Sequence, residues 1–466
     1  MTAGPGSLRP LPGPMPDRAG SYDLAALGYV QQEFLLDGTA TSYRLTGERT
    51  VNGRWSVEPA DPAPFTTRVL LRRPAQTARY SGTLVVEWLN VSGGLDAAPD
   101  WMMAHTHLLR RGHAWAGVSA QRAGIEGGGI VAGMHLKAAH PQRYASLSHP
   151  GDAWSFDIFS QAACALAAHP DLSAASLGTA APRLLACGQS QSAAFLVTYL
   201  NAIDPLEAVF DGFLVRGRPG AGAALDTGFN PGSRTEGERI RDDVRVPVIV
   251  LQTETDVTLL GSGLAEQPDG ELLRNWELAG AAHADTYLLY ASGQDDGALP
   301  PAQLAELIRP TSDILMGHTE SPINSGLQHH YVTCAAFEHL DEWVAGRAKP
   351  PPAPRLDVAA GGQDLLRDPL GVATGGIRTP WTDAPAAILS GTGQRGEMFA
   401  FLFGTTAELS DVDLARLYPG GKTDYLAKFE AYLEAAIDAG FVLSEDRAEI
   451  LAVAAASWPG GESHAS

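Results

Sequence analysis

Three residue types, each at the end of an apolar run, could together perform acyl transfer. Leu184-Leu185-Ala186-Cys187 leads directly into Gly188-Gln189-Ser190-Gln191-Ser192 and then the small pair Ala193-Ala194. This order reads as a buried strand, a sharp turn carrying a serine and a tight helix start, the layout of a nucleophile elbow that holds its hydroxyl exposed. Ser192 stands where such a turn usually ends in glycine. A serine hydroxyl is a weak nucleophile near neutral pH and needs a base, which imidazole supplies because its ordinary pKa is close to 6.5. His283 follows the half-alternating strand Asn275–Ala279 through the turn Gly280-Ala281-Ala282, and we assign it as that base. An acid must then fix the imidazole tautomer. Asp256, a few residues past the apolar strand Val246–Leu251, is assigned to it, with Glu254 as the alternative two residues nearer the strand. For the oxyanion, the Gln191 amide is the natural donor, and Val91 or Ser92 supplies the second from the loop Asn90-Val91-Ser92-Gly93-Gly94. His329 and His330 compete with His283, but they open an amphipathic run that continues to Val344. A histidine at a helix start serves more readily as a cap or substrate contact than as a base.

These residues meet only if the strands that carry them end along one edge. Thr83–Leu89, His113–Val118, the elbow strand, Phe210–Val215, Val246–Leu251 and Asn275–Ala279 read as strands, and helical apolar spacing over Asp152–Ala168 precedes the elbow. That alternation predicts an α/β fold with a mostly parallel central sheet and helices on both faces, whose strand C-termini share an edge. Upstream, Tyr29–Leu36, Tyr43–Leu45 and Trp55–Glu58 are separated by the turn dipeptides Asp37-Gly38 and Asn52-Gly53. They predict a meander of short antiparallel strands running into Thr66–Arg72. We divide the chain into a flexible N-terminal arm (1–27), a core (28–350) with lid loops at about 216–245 and 286–326, and a C-terminal addition (351–466) that begins after the proline-rich run Pro350–Pro354. The addition contains a helix with Tyr425, Phe429, Leu433 and Ile437 at four-residue spacing, closed by Gly440, and Phe401-Leu402-Phe403 as an apolar wall or a core strand. It is expected to cap the active-site edge or to make a subunit contact in a homodimer or homotetramer.

With 466 residues the chain can bury a large core, and its net charge of −20 is spread along the sequence. Nucleic acid and anionic membrane surfaces are poor partners for such a chain, because both are bound by basic faces. The Gly/Pro-rich start has no apolar signal region and no stretch is long and apolar enough to span a bilayer, so a cytoplasmic location is expected. Cys164, Cys187 and Cys334 are too few and too scattered for a disulfide framework. The pairs His105/His107 and His135/His140 lack the carboxylates and thiols that complete a metal site, and no metal or cofactor is expected.

Four segments taken together carry a resemblance. Val86–Gly94, Cys187–Ala193, Gln252–Asp256 and Ala279–Asp285 resemble a bacterial family of "alpha/beta hydrolase domain" proteins within the α/β-hydrolase superfamily, over about Tyr22 to Gly440 and including Gly375-Gly376-Ile377-Arg378. The lactonases that open the macrocyclic lactone zearalenone are similar to this pattern. The resemblance implies an α/β-hydrolase fold with a Ser-His-Asp triad. It leaves the substrate open; the leading reading is a serine hydrolase that cleaves a carboxylic ester or lactone through an acyl-enzyme, and an acidic, apolar-lined site would favour a small, neutral, hydrophobic one. A peptidase or amidase, or a hydrolase fold that serves only as a binding module, are the alternatives.

Overall fold

Runs that are apolar on both faces become strands covered by helices on two sides. The computed structural model describes residues 6–16, 20–129, 131–173, 181–228, 236–314, 317–360 and 364–459. The strands of its large sheet are β1 (Ser7–Pro10), β2 (Tyr29–Leu45), β3 (Val57–Pro74), β4 (Thr83–Trp88), β5 (Ala114–Val118), β6 (Arg183–Gln189), β7 (Gly212–Arg216), β8 (Val248–Thr253) and β9 (Leu273–Leu278). They form one nine-stranded sheet in the order β1-β2-β3-β5-β4-β6-β7-β8-β9. Pairing is antiparallel from β1 through β2 and β3 to β5, and parallel from β5 through to β9. Every residue of β4, β5, β7 and β8 is buried.

Because β4 lies between β5 and β6, the chain leaves β4 toward one side of the sheet and later leaves β6 toward the other. A crevice opens at the C-terminal ends of those two strands, the place where open α/β sheets build their sites. The helices Pro99–Arg111 and Gln328–Val344 pack on one face through Trp101, Leu108, Val332, Phe337 and Leu340. Ser155–Ala167 and Gln191–Thr198 cover the other through Phe156, Phe159, Phe195 and Val197. This is the α/β-hydrolase architecture.

Three expectations need correction. The dipeptide Asp37-Gly38 does not turn: β2 runs unbroken for 17 residues and Gly38 pairs with Phe65 of β3. The Asp37 carboxylate instead accepts from Thr66 Oγ1 across the ribbon at 2.7 Å. A Cβ on Gly38 would lie 2.6 Å from Gln161 Oε1 and 2.8 Å from the Phe65 ring. Glycine is there so that the helix Ser155–Ala167 can approach the ribbon closely, whereas Asn52-Gly53 does turn, with Gly53 at φ +76°. The second correction concerns the arm: Ser7–Pro10 is an edge strand on β2, because β2 offers an unpaired ladder and a proline at a strand's end breaks no bond in it. Thirdly, Phe401-Leu402-Phe403 is no strand; Ala400–Leu402 is a 3₁₀ turn with Phe401 exposed.

The C-terminal region packs along the β9 edge, where Ile377 N donates to Glu277 O at 2.6 Å. Its helix Lys422–Asp438 buries Tyr425, Phe429 and Leu433, as the spacing requires. At its end Gly440 has φ +81°, and the Gly440 and Phe441 amides donate back to Ile437 and Ala436. A cavity of about 450 Å³ lies beside this helix, lined by Ile308, Trp381, Tyr425, Phe429 and Val453 among others and by none of Ser190, Asp256 and His283. Parts of the lid loops, 229–235 and 315–316, lie outside the described residues. No described helix is long and apolar enough to cross a membrane.

Candidate active site

β6 delivers Ser190 onto a turn with φ 64° and ψ −121°, a region that costs a non-glycine residue about 1–3 kcal/mol. Tertiary bonds hold it there: Ser190 N donates to Arg216 O on β7 at 3.0 Å, and Ala194 N donates to Ser190 O at 3.1 Å. Gly188 allows the tight passage, since a Cβ there would lie 3.0 Å from Ser192 Cβ. The Ser190 hydroxyl is part-exposed and makes no hydrogen bond among the described residues. Gln191 is the first residue of the following helix, so its amide has no partner within that helix. Across the crevice, Asn90 Nδ2 donates to Gln189 O at 2.9 Å and ties the β4 loop to the elbow. Asn90 Oδ1 accepts the Ser92 amide at 2.9 Å, while nothing among the described residues accepts from the Val91 amide. Of the two candidates for a second oxyanion donor, Ser92 is therefore engaged and Val91 is open.

The candidate acid and base follow β8 and β9, beyond β7. Thr253, the last residue of β8, caps the short helix Glu254–Thr258, and Asp256 Oδ2 accepts from Thr253 N at 2.7 Å and Thr253 Oγ1 at 2.8 Å. Its other oxygen lies 2.6 Å from His283 Nδ1. Burial works to raise the Asp256 pKa, but the facing imidazole and the Thr253 donors outweigh it and hold the carboxyl below its ordinary range. The His283 amide donates to Thr255 Oγ1 at 3.1 Å, and Thr255 Oγ1 donates to Gly391 O at 2.5 Å. The C-terminal region thus props the turn that carries His283, and Ala284 N donates to Leu402 O at 3.1 Å in the same sense.

Gly217, just past β7, is not singled out by any local pattern, although it directly follows a buried strand. Its φ is +59°, and a Cβ on it would meet His283 Cε1 and Nδ1 at 3.1 Å. The ring therefore rests against bare backbone. Gly217→Ala is expected to push the imidazole aside by a few tenths of an ångström and lower kcat/KM on an aryl ester about tenfold, with only a modest fall in Tm, because small displacements of reacting groups are costly. A variant with unchanged kcat/KM would show that the close approach has no bearing on turnover.

The rival candidates face other partners. Glu254 is fully buried and turned away from His283: it accepts from Gly280 N at 2.7 Å, Gly391 N at 2.9 Å, Ser390 Oγ at 3.1 Å and Arg367 at 3.2 Å. His329 Nε2 accepts from Arg216 at 3.2 Å, and its Nδ1 lies 3.4 Å from Asp285. His330 donates from Nδ1 to Met103 O at 2.6 Å and stacks on Tyr287 at 4.1 Å. Burial pushes the His330 pKa below the usual imidazole range, so a pH limb from this ring would lie lower than that of an ordinary histidine. His283→Ala is expected to abolish ester turnover together with its rise with pH, while His330→Ala keeps the limb in place and loses less than about tenfold. The reverse pattern in paired pH–rate profiles would move the base to the helix Gln328–Val344.

One group among the described residues brings metal-ligating atoms together: Glu87, Asp100 and Cys187, all buried, within 4.8 Å of one another. Glu87 already accepts from the Asp100 and Trp101 amides and from Trp115 Nε1, and Asp100 from Arg216 at 2.7 Å. Burial first, and the neighbouring Asp100 second, push the Glu87 pKa up, and burial does the same to the Cys187 thiol. Groups whose burial favours the neutral form, bonded to their own surroundings, make a core network, and they are poor metal ligands as they stand.

A parallel sheet with a strained serine turn at the β4/β6 switch and an Asp–His pair past the ends of β8 and β9 defines a protein of the α/β-hydrolase class. The chain belongs to the alpha/beta hydrolase domain family, whose model matches residues 4–452. It is a hydrolase at that level of description. No curated protein matches it. Among solved structures it is similar to a fungal esterase from Rhizomucor miehei, at 11% identity over 57% of this chain and 85% of that one with a TM-score of 0.28. It is also similar to a serine hydrolase without lid from Xanthomonas campestris, at 13% identity over 52% and 83% with a TM-score of 0.27. Neither bears on what this chain acts on.

Proposed function

We propose that this hydrolase cleaves a neutral carboxylic ester or lactone through an acyl-enzyme on Ser190, with His283 as base and Asp256 as its orienting acid. The observation that carries the reading is the 2.6 Å contact between Asp256 Oδ1 and His283 Nδ1, made on strand ends beside the elbow serine. With Nδ1–H given to Asp256, Nε2 is the acceptor of a neutral ring and can take the Ser190 proton as Oγ attacks the carbonyl carbon. The Gln191 and Val91 amides then receive the developing oxyanion. As that intermediate collapses, the imidazolium returns its proton to the departing alkoxide. Water, activated by the same nitrogen, releases the acid. In a lactone the departing alcohol stays tethered to the acyl group, and the product is one hydroxy acid.

A net charge of −20 repels anionic substrates and favours neutral, hydrophobic ones, a macrocyclic lactone such as zearalenone among them. Alkoxides leave with less help than amines do, which ranks esters and lactones above amides. In this reading the C-terminal region serves the active-site edge, holding the turns of Thr255 and His283 through Gly391 and Leu402. The test is a fluorophosphonate probe on the wild type and Ser190→Ala, followed by a panel of aryl esters, lactones and amides. Labelling at Ser190 with hydrolysis of esters and lactones is the expected result. Folded wild-type protein that takes no label would leave the non-catalytic binding module as the better reading.

A further inference from the structure

The acceptor nitrogen of His283 is not free in the resting protein. Gln189, the residue immediately before Ser190, places its side-chain Nε2 2.8 Å from His283 Nε2 and 3.5 Å from the His283 carbonyl oxygen. Since His283 Nδ1 faces the Asp256 carboxylate at 2.6 Å, the ring's proton sits on Nδ1 and its Nε2 accepts. The amide N–H of Gln189 must therefore be the donor, in the position a serine hydroxyl would need. Ser190, correspondingly, has no hydrogen bond from its hydroxyl among the described residues. The contact is confined: Gln189 is buried, Asn90 holds its backbone carbonyl, and a Cβ on Gly217 would lie 3.3 Å from its Nε2.

We propose that Gln189 is a positioning residue that occupies the base in the resting enzyme and must swing off His283 Nε2 before Ser190 can hand over its proton. This rests on His283 serving as the base. No covalent bond is made or broken in the swing; one hydrogen bond to Nε2 is exchanged for another. The physical reason it cannot stay is donor against donor. Once Nε2 carries the serine proton, an amide N–H pointing at it is repelled, so Gln189 must leave or turn its Oε1 inward. A substrate that draws the amide away, by offering its own carbonyl or ether oxygen as acceptor, frees the base as it binds. An apolar substrate edge without such an acceptor leaves the base engaged.

Other charges around the ring are accounted for. Asp256 faces Nδ1 from the helix Glu254–Thr258, and Glu254 on the same helix points to Gly280 and Gly391. Arg216 and Arg218, which flank Gly217, point to Asp100 and to the Glu238 carbonyl. Asp285, on His283's own turn, accepts the Leu288 amide and faces His329.

The experiment uses the full chain and two variants. Gln189→Met keeps the bulk and removes the donor; phosphonylation of Ser190 by a small fluorophosphonate, measured above the acid limb, is expected to run about three- to tenfold faster, the worth of one net hydrogen bond. Gln189→Glu replaces the donor by an acceptor that pairs with imidazolium. The His283 titration, followed by NMR of ¹³C-labelled histidine, is expected to rise by about 1 to 3 units, and the acid limb of ester turnover to rise with it. A glutamine that only fills space would leave the Gln189→Met rate unchanged. Gln189→Met no faster than wild type overturns the proposal, and so does a His283 titration that stays in place in Gln189→Glu. Should that variant fail to fold, the rate of Gln189→Met decides alone. If wild-type Ser190 takes no label, the serine-hydrolase reading fails on its own account, and the NMR titration still reports whether Gln189 engages the ring.

Discussion

Ser190→Ala is expected to lower kcat/KM on a neutral ester by about 10⁴-fold or more while the protein folds as the wild type does. The size follows from what is removed. Without Oγ no acyl-enzyme forms, and the residual rate rests on binding and on the Gln191 and Val91 amides. Folding should survive because the turn at φ 64° is held by the Arg216 carbonyl and the helix start, which use the Ser190 backbone alone. Alanine meets a similar conformational penalty at that φ, so Tm should change little. Parallel measurement of turnover and thermal unfolding checks both halves, and a variant with more than a tenth of wild-type turnover would place the nucleophile elsewhere.

The second large effect separates two buried acids that lie two residues apart. Asp256→Asn is expected to cost about 10³- to 10⁴-fold in kcat, because an amide facing Nδ1 no longer fixes the tautomer in which Nε2 accepts. Since the Asp256 pKa is held below its ordinary value, its carboxylate stays charged well into acid, and the acid limb of activity reports the imidazole. The sign for stability is the same: the Asp256 contribution is present above the unfolded carboxylate's pKa and is lost as pH falls through the lower folded value. Glu254→Gln should behave oppositely, keeping most turnover per folded molecule while lowering Tm. It weakens a hub that joins Gly280, Ser390, Gly391 and Arg367, and truncating one side of a buried ion pair costs about 3–5 kcal/mol at its upper range. If Glu254→Gln were the variant that abolished turnover with Tm unchanged, Glu254 would be the orienting acid.

Local chemistry makes much of this legible in the residues themselves. An apolar run too short for a helix and bounded by glycine is a buried strand, and a serine between such a strand and a helix of small residues has few other conformations to take. The strand-then-turn settings of Asp256 and His283 are of the same kind, as are the four-residue spacing of Tyr425, Phe429 and Leu433 and the glycine that ends their helix. In each case the cause lies within a dozen residues. Asp37-Gly38 departs from the turn its residue types favour for a long-range reason: Thr66 and the Phe65 ring on the next strand, and Gln161 on a helix, decide that the dipeptide stays extended.

The same division runs through the candidate site. Sequence alone leaves Asp256 and Glu254 both open, because both follow one strand and differ only in which way the first turn of a short helix points them. The capping bonds of Thr253 turn Asp256 toward His283, and the C-terminal segment around Ser390 and Gly391 takes Glu254, a pairing across more than a hundred residues. The choice between Val91 and Ser92 hangs on where the Asn90 side chain directs its oxygen. Gly217 and Gln189 acquire meaning only through their distance to His283, which no local pattern encodes. Residue types and periodicity determined the central parallel strands and which residue types stand at their ends; the edge ribbon, and which donor meets which acceptor, were decided by tertiary packing, because a hydrogen bond is made or lost within a few tenths of an ångström.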